Sequence, residues 1–237
     1  MSDEPLRLSK RVAALVPCSR REAEQYIAGG WVRVAGQVVR EPQFRVGDEV
    51  VQVDPAARLG RPMPATFLVH QPPGLGLAAL HALLVPAAQW QADPARVPRS
   101  RAQDAGLEAL LPLPAAAEGL AVFSQDPRIV RKLQEEAHLV EQELVAHVAG
   151  TLAPGGLERL GRGLSIDGKP LPTARVSWQS DQRLRIAAKG LPLDRMAWMC
   201  EQVGLQLLSL KRIRIGRLPM AGLPRGQWRY LAPDERF

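Results

Sequence analysis

Cysteine and histidine are scarce: Cys18 and Cys200 are the only thiols among 237 residues, and there are four histidines. Two thiols cannot build a disulfide framework or a cysteine-rich zinc site, so a reducing cytoplasm is the expected location. His70, His81, His138 and His147 lack both H-E-x-x-H and cysteine-partnered spacing, and neither a metal nor another cofactor is expected. Long apolar runs are missing as well. The richest stretch, 105–123, is interrupted by Glu108, Pro112, Pro114 and Glu118 and falls short of the ~18 residues a membrane span needs. The opening residues MSDEPLRLSKR hold no hydrophobic segment of the signal-peptide kind. No Walker A or Rossmann glycine pattern occurs, and no fixed-period repeat. Acidic residues are the minority, 24 against 31 Lys and Arg, for a net charge of +7. That excess points to an anionic partner, most often nucleic acid. With 46% hydrophobic residues the chain can bury a core, which excludes disorder throughout.

Residues 6–54 form a first unit by pattern. LRLSKRVAALV places Leu8, Val12 and Leu15 at helical spacing, with Arg7, Lys10 and Arg11 on other faces, and Pro17 ends the helix. In SRREAEQYIAGG, Ser19 and Glu22 make a capping box, and Ala23, Tyr26 and Ile27 form the stripe to be buried. WVRVAGQVV and FRVGDEVVQVD alternate as strands around turns. Arg20 and Arg21 fall in the first turn of the second helix, where the helix dipole disfavours cations and free N–H groups attract phosphate. Arg7 and Lys10, three apart on the preceding helix, extend the same basic surface. Cys18, beside Arg20, is a candidate for a lowered thiol pKa, without a base in reach.

Residues 55–65 read as a linker, with prolines and no apolar periodicity. Beyond it, TFLVH, LAVFSQDP, ELVAHVAG, LSIDGKPL, ARVSWQS, QRLRIAAKG and LLSLKRIRIG are strand candidates. PRIVRKLQEEAHLV and DRMAWMCEQVG have helical spacing. Without strict β-α-β alternation this predicts an α+β domain over 66–233, an antiparallel or mixed sheet flanked by helices. Asp126 and Asp167 have turn composition. Lys211, Arg212 and Arg214 in KRIRIGR fit either an RNA-facing strip or a solvated edge strand. Trp178, Trp198 and Trp228 fit core positions.

The first unit resembles an S4 domain, a small RNA-binding module, through SRREA, the GGWVRV strand entry and the GDEV turn. The resemblance implies RNA contact through Arg7, Lys10, Ser19, Arg20 and Arg21. Ala35-Gly36 stands where that family has Asn-Gly, implying a looser turn. An S4 domain before an α+β domain resembles the RsuA-type bacterial pseudouridine synthases, and LERLGRGLSIDGKPLPTARV, EGLAVFSQDP and VGLQLLSLKRIRIGRLPMAGLPRGQWRYL extend the likeness.

Against the family's GRLDxxTxGL motif, LPLPAAAEGL (111–120) puts Pro114 at the nucleophilic Asp, Pro112 at the Arg and Ala117 at the Thr. Glu118, Gly119 and Leu120 are kept, and active members often carry Glu at the first of these. Gln142 and Leu144 stand at the Lys and Tyr of KxY. In LDRMAWM, Ala197 and Trp198 replace the paired arginines of NRQxRRM. His70 begins HQPPG in place of an Asn-Lys-Pro start. Proline offers no nucleophile, titratable group or N–H. The resemblance therefore implies a catalytically degenerate member: a cytoplasmic, monomeric RNA-binding protein, its target structured rRNA or ribosomal assembly particles. Two other readings stand beside it. One is an active isomerase using an unaligned carboxylate such as Asp104 or Glu108; the other is a protein-interaction scaffold. Trp198 either plugs the cleft or stacks on a base.

Overall fold

The computed structural model describes residues 5–57, 64–95, 103 and 106–237. Most of the expected linker, and the candidate carboxylate Asp104, lie outside the described residues. The chain divides into two compact units, the second holding Ala65–Ala95 and Glu108–Phe237.

In the first unit a two-residue strand β1 (Leu6–Arg7) leads into α1 (Leu8–Leu15), followed by α2 (Arg20–Ala28). Arg7 thus precedes the helix and does not share a helical face with Lys10. Leu8 and Val12 are fully buried, but Leu15, in the last turn, is 50% exposed, so the apolar stripe is one residue shorter than expected. The capping box is formed: Ser19 Oγ accepts from the Glu22 N–H at 3.2 Å, and Glu22 Oε2 accepts from the Ser19 N–H at 2.7 Å. Ala23 and Ile27 are buried and Tyr26 half-buried. The remaining strands are β2 (Val32–Val34), β3 (Gln37–Val38), β4 (Arg45–Val46) and β5 (Val51–Val53). β4 pairs with β1, and the other three form a sheet in the order β3-β2-β5. Leu8, Val12, Ala23, Ile27, Val32, Val34 and Val46 make the core. Ala35 and Gly36 connect β2 and β3 with φ of 48° and 82°. The turn keeps the two positive φ values of a type I′ hairpin without its Asn, so tight geometry replaces the looser turn expected.

The second unit contains β6 (Thr66–Gln71), α3 (Leu77–Ala82), β7 (Glu108–Leu110), β8 (Glu118–Ser124), α4 (Pro127–Gln134), β9 (Glu141–Gly150) and α5 (Gly156–Arg162). There follow the short hairpin β10 (Ser165–Ile166) and β11 (Lys169–Pro170), then β12 (Ala174–Ser180), β13 (Arg183–Lys189), α6 (Met196–Glu201), β14 (Leu205–Ile215), β15 (Leu218–Pro219) and β16 (Trp228–Tyr230). Nine strands form one sheet in the order β12-β13-β9-β14-β8-β6-β16, with β15 added to β14 and β7 to β8. Pairing is antiparallel except between β14 and β8. The mixed sheet with flanking helices is the α+β fold expected.

Asp126 is a helix cap and not merely a turn residue: its Oδ1 accepts from the Arg128 N–H at 2.9 Å, with Pro127 starting α4. Asp167 and Gly168 form the β10–β11 turn with φ of 50° and 75°. The edge-strand reading of KRIRIGR is overturned, because β14 lies between β9 and β8. Gly119 permits that pairing: at φ 124° an added Cβ would lie 2.2 Å from the Arg212 carbonyl oxygen.

Alternation along β9 assigns the two faces of this half of the sheet. Leu144, Ala146 and Val148 join Leu184, Ile186 and residues of α5 and α6 in one apolar cluster. Glu141, Glu143, Val145 and His147 point the other way. β6 is buried along its whole length, and Trp228 packs edge-on against Phe67 and Tyr230. Trp178, by contrast, is no core residue; it is 39% exposed.

Candidate nucleic-acid interface and catalytic cleft

On the first unit, Arg7, Lys10, Ser19, Arg20 and Arg21 are all exposed. None of these four cations has a carboxylate partner among the described residues. Arg20 and Arg21 open α2, where free N–H groups and the helix dipole already favour an anion. Ser19 Oγ is committed to the cap, so its role is to hold the helix start in place. The Cys18 thiol is pushed up from its ordinary value by burial and by the charge of Glu22. The expectation of a lowered value fails because burial disfavours the thiolate and the Glu22 carboxylate, drawn in by the capping box, adds to that. Burial likewise pushes Cys200 up to about 11.

In the second unit the motif positions come together around one apolar cluster. Leu144 and Ala117 belong to it, and Leu113 and Trp198 pack against it. Pro114 sits in the loop entering β8, where its carbonyl accepts from the Ala117 N–H at 2.9 Å and from Gln71 Nε2 at 3.2 Å. The residues that the resemblance sets at the Asp, Tyr and Arg-pair positions are thus a proline, a fully buried leucine, and a half-buried Trp beside an exposed alanine. Arg195 is exposed and lies 3.4 Å from Asp194. Glu108 stands opposite Ser124 and bonds Gln134 at 2.7 Å. Gly119, beside the Pro114 loop, is five residues away along β8, or about 17 Å at strand rise.

The three basic residues of KRIRIGR have three different environments. Arg212 is fully buried and is no surface RNA contact. It donates to the Leu120 carbonyl at 2.8 Å and to Gln142 Oε1 at 2.7 Å, while Nη2 has no partner. Burial pushes its guanidinium down to about 9, still cationic at neutral pH. A strand irregularity between Arg212 and Arg214 puts Arg214 on the opposite face, where it bonds Glu143 and Glu141 at 2.6 Å each. Lys211 shares that face.

Lys211 leads to a cluster that motif reading missed. Glu118 accepts from Lys211 Nζ at 2.7 Å and from Arg225 Nη2 at 2.6 Å, and its Oε1 lies 3.0 Å from His70 Nε2. His70 Nδ1 is 2.7 Å from the Leu223 carbonyl. Burial alone raises the Glu118 carboxyl, but the bonds from Lys211 and His70 and the charge of Arg225 outweigh it and hold the group below its ordinary value. The cluster borders a depression of about 370 Å³. Its four members lie far apart in sequence, so no local spacing signals it.

A small unit of two helices and short strands followed by an α+β unit with this sheet defines a class, which comparison with known proteins specifies. A model of the S4 domain matches residues 6–51. The ribosomal large subunit pseudouridine synthase B of Bacillus subtilis (strain 168) is 28% identical over 97% of this chain and 93% of its own length. The dual-specificity RNA pseudouridine synthase RluF of Salmonella typhi is 26% identical over 99% of this chain and 78% of its own. A crystal structure of a pseudouridylate synthase shares the fold, with a TM-score of 0.59, 16% identity and 96% coverage of both chains. The chain is therefore similar to RNA pseudouridine synthases over nearly its whole length, with a match to the S4 domain at its N-terminal side.

Proposed function

We propose that this protein binds structured rRNA through its S4 module and carries a pseudouridine synthase fold without aspartate-dependent isomerisation. What supports the reading is Pro114, which the motif resemblance sets at the nucleophile position and whose backbone carbonyl accepts from Gln71 and Ala117. Breaking and remaking a glycosidic bond through a covalent intermediate needs a carboxylate there, and a flipped uracil needs room. Leu144, Ala117 and Trp198 favour a filled, apolar cleft. Binding then rests on phosphate contacts by Arg7, Lys10, Arg20 and Arg21, whose affinity is salt-dependent and carries no base information. Ribosomal RNA is the first target to test because the Bacillus subtilis relative is named for the large subunit; an assembly particle is the setting in which such an RNA is accessible.

A second reading, an active isomerase, is favoured by one feature: the Glu118 carboxyl is held below its ordinary value, flanked by cations and open to a depression. Two facts weigh against it. Both carboxylate oxygens already accept bonds from Lys211, Arg225 and His70, which lowers nucleophilicity. The side chain also shares the face of Val145, opposite that of Leu144.

The test measures binding of the full chain to rRNA fragments over a salt series, alongside Arg20→Ala with Arg21→Ala. The double variant is expected to bind more weakly, with a slope of log affinity against log salt reduced by about 2. An unchanged slope would overturn the S4 contact. Pseudouridine formed by the wild type and lost in Glu118→Gln would establish the second reading.

A further inference from the structure

On the sheet half β12-β13-β9-β14, α5 and α6 pack against the apolar face, and the other face is basic. Register puts Ser177, Arg185, Val145, Lys211 and Glu118 in one row across five strands, roughly 19 Å at the usual strand spacing. Arg183, His147 and Ser209 form the next row, and Arg175, Ala187, Glu143 and Arg214 lie on the other side. Arg225 reaches the same face through Glu118. Among the described residues of these strands and that loop, seven cations (Arg175, Arg183, Arg185, Lys189, Lys211, Arg214 and Arg225) face three carboxylates.

The layering matters more than the count. Glu118, Glu141 and Glu143 are sunk, with side chains 15%, 26% and 5% exposed, whereas Arg175 and Arg225 remain 77% and 59% exposed. Each carboxylate pins two or more cations from beneath: Glu141 holds Arg175 and Arg214, and Glu143 holds Arg185 and Arg214. Guanidinium groups held this way lose less side-chain entropy when they meet an anion. Arg183 and Lys189 are exposed and have no carboxylate partner among the described residues, so the outermost charge is uncompensated. Trp178 lies on the opposite face from Ser177 and Arg185, so cations far outnumber rings on these rows, where His147 is the aromatic side chain.

We propose that this open face is a second RNA-binding surface, which seats the phosphate backbone of a helical RNA segment without reading its sequence. A-form duplex is recognised through phosphates and shape, and a row of cations fixed from beneath suits that task. The inference rests on the proposed RNA-binding reading but uses none of the S4 residues.

The test uses the full chain and two unrelated RNA duplexes of about 16 base pairs, titrated over a salt series. Arg183→Gln with Lys189→Gln removes two exposed, unpaired cations and leaves the buried carboxylates satisfied. The expected result is weaker binding of both duplexes alike, with the salt slope reduced by about 2, and an unchanged melting temperature. Unchanged duplex binding in this variant, while Arg20→Ala with Arg21→Ala still weakens it, would overturn the second surface and leave the S4 reading intact. Absence of RNA binding by the wild type would overturn both. Equal binding of polyglutamate, lost in the same variant, would reassign the face to an acidic protein partner.

Discussion

Several single residues carry costs that their neighbours accept. Ala35 is held at φ 48°, a region where a Cβ is disfavoured by about 1 kcal/mol and which Asn tolerates better. Ala35→Asn should therefore stabilise the first unit by about 0.5 kcal/mol, read as a higher denaturant midpoint for its transition in the full chain. Pro114 is the residue on which the functional reading turns. Because Leu144, Ala197 and Trp198 also depart from the resembled motifs, Pro114→Asp alone should form no pseudouridine in rRNA, as read by chemical mapping. Recovery of modification by that single change would mean that the rest of the cleft is still competent. The capping box was legible because Ser19 and Glu22 are three apart and act locally. The Glu118 cluster was not: His70, Glu118, Lys211 and Arg225 meet only when β6, β8, β14 and a distant loop assemble. Arg212 shows the same limit, since only the irregularity in β14 decides which cation of KRIRI is buried.

At the scale of elements, β8 and β14 form the seam of the large sheet, and Gly119 sets their separation. Gly119→Ala combines an unfavourable φ with a backbone clash and should cost about 3 kcal/mol, measured as a lower midpoint of the second unit's unfolding. The basic face contributes stability of a different kind. Glu141 is held below its ordinary value first by its bond from Arg214, Glu143 first by its bond from Arg185, and Glu118 is lowered despite burial. A depressed folded value means that the contribution is complete above the unfolded carboxyl value of about 4.3 and is lost as pH falls through the folded values. Melting temperature should accordingly drop on acidification below about pH 4.3, and Glu143→Gln should flatten that drop. Most strands were readable from alternation. Their order was not, because the position of β14 between β9 and β8 depends on contacts between distant segments, and an isolated KRIRIGR looks as much like an edge as a centre.

For the whole molecule, the chain joins a match to the S4 domain to a fold shared with a pseudouridylate synthase, and the degenerate cleft is the proposal to be tested. Its homologues are named as RNA pseudouridine synthases, so what most needs testing is whether the fold has kept its chemistry. Among the described residues no helix is long and apolar enough to cross a membrane, and positive charge is displayed on both units. Phosphate contacts of this kind position an RNA and leave its sequence unread; identifying the target therefore falls to experiment. The most direct measurement incubates the purified full chain with rRNA from cells lacking it, then maps crosslinked fragments and new pseudouridine on the same sample. The account predicts discrete crosslinked fragments that carry no new pseudouridine. A new pseudouridine within a crosslinked fragment would contradict it.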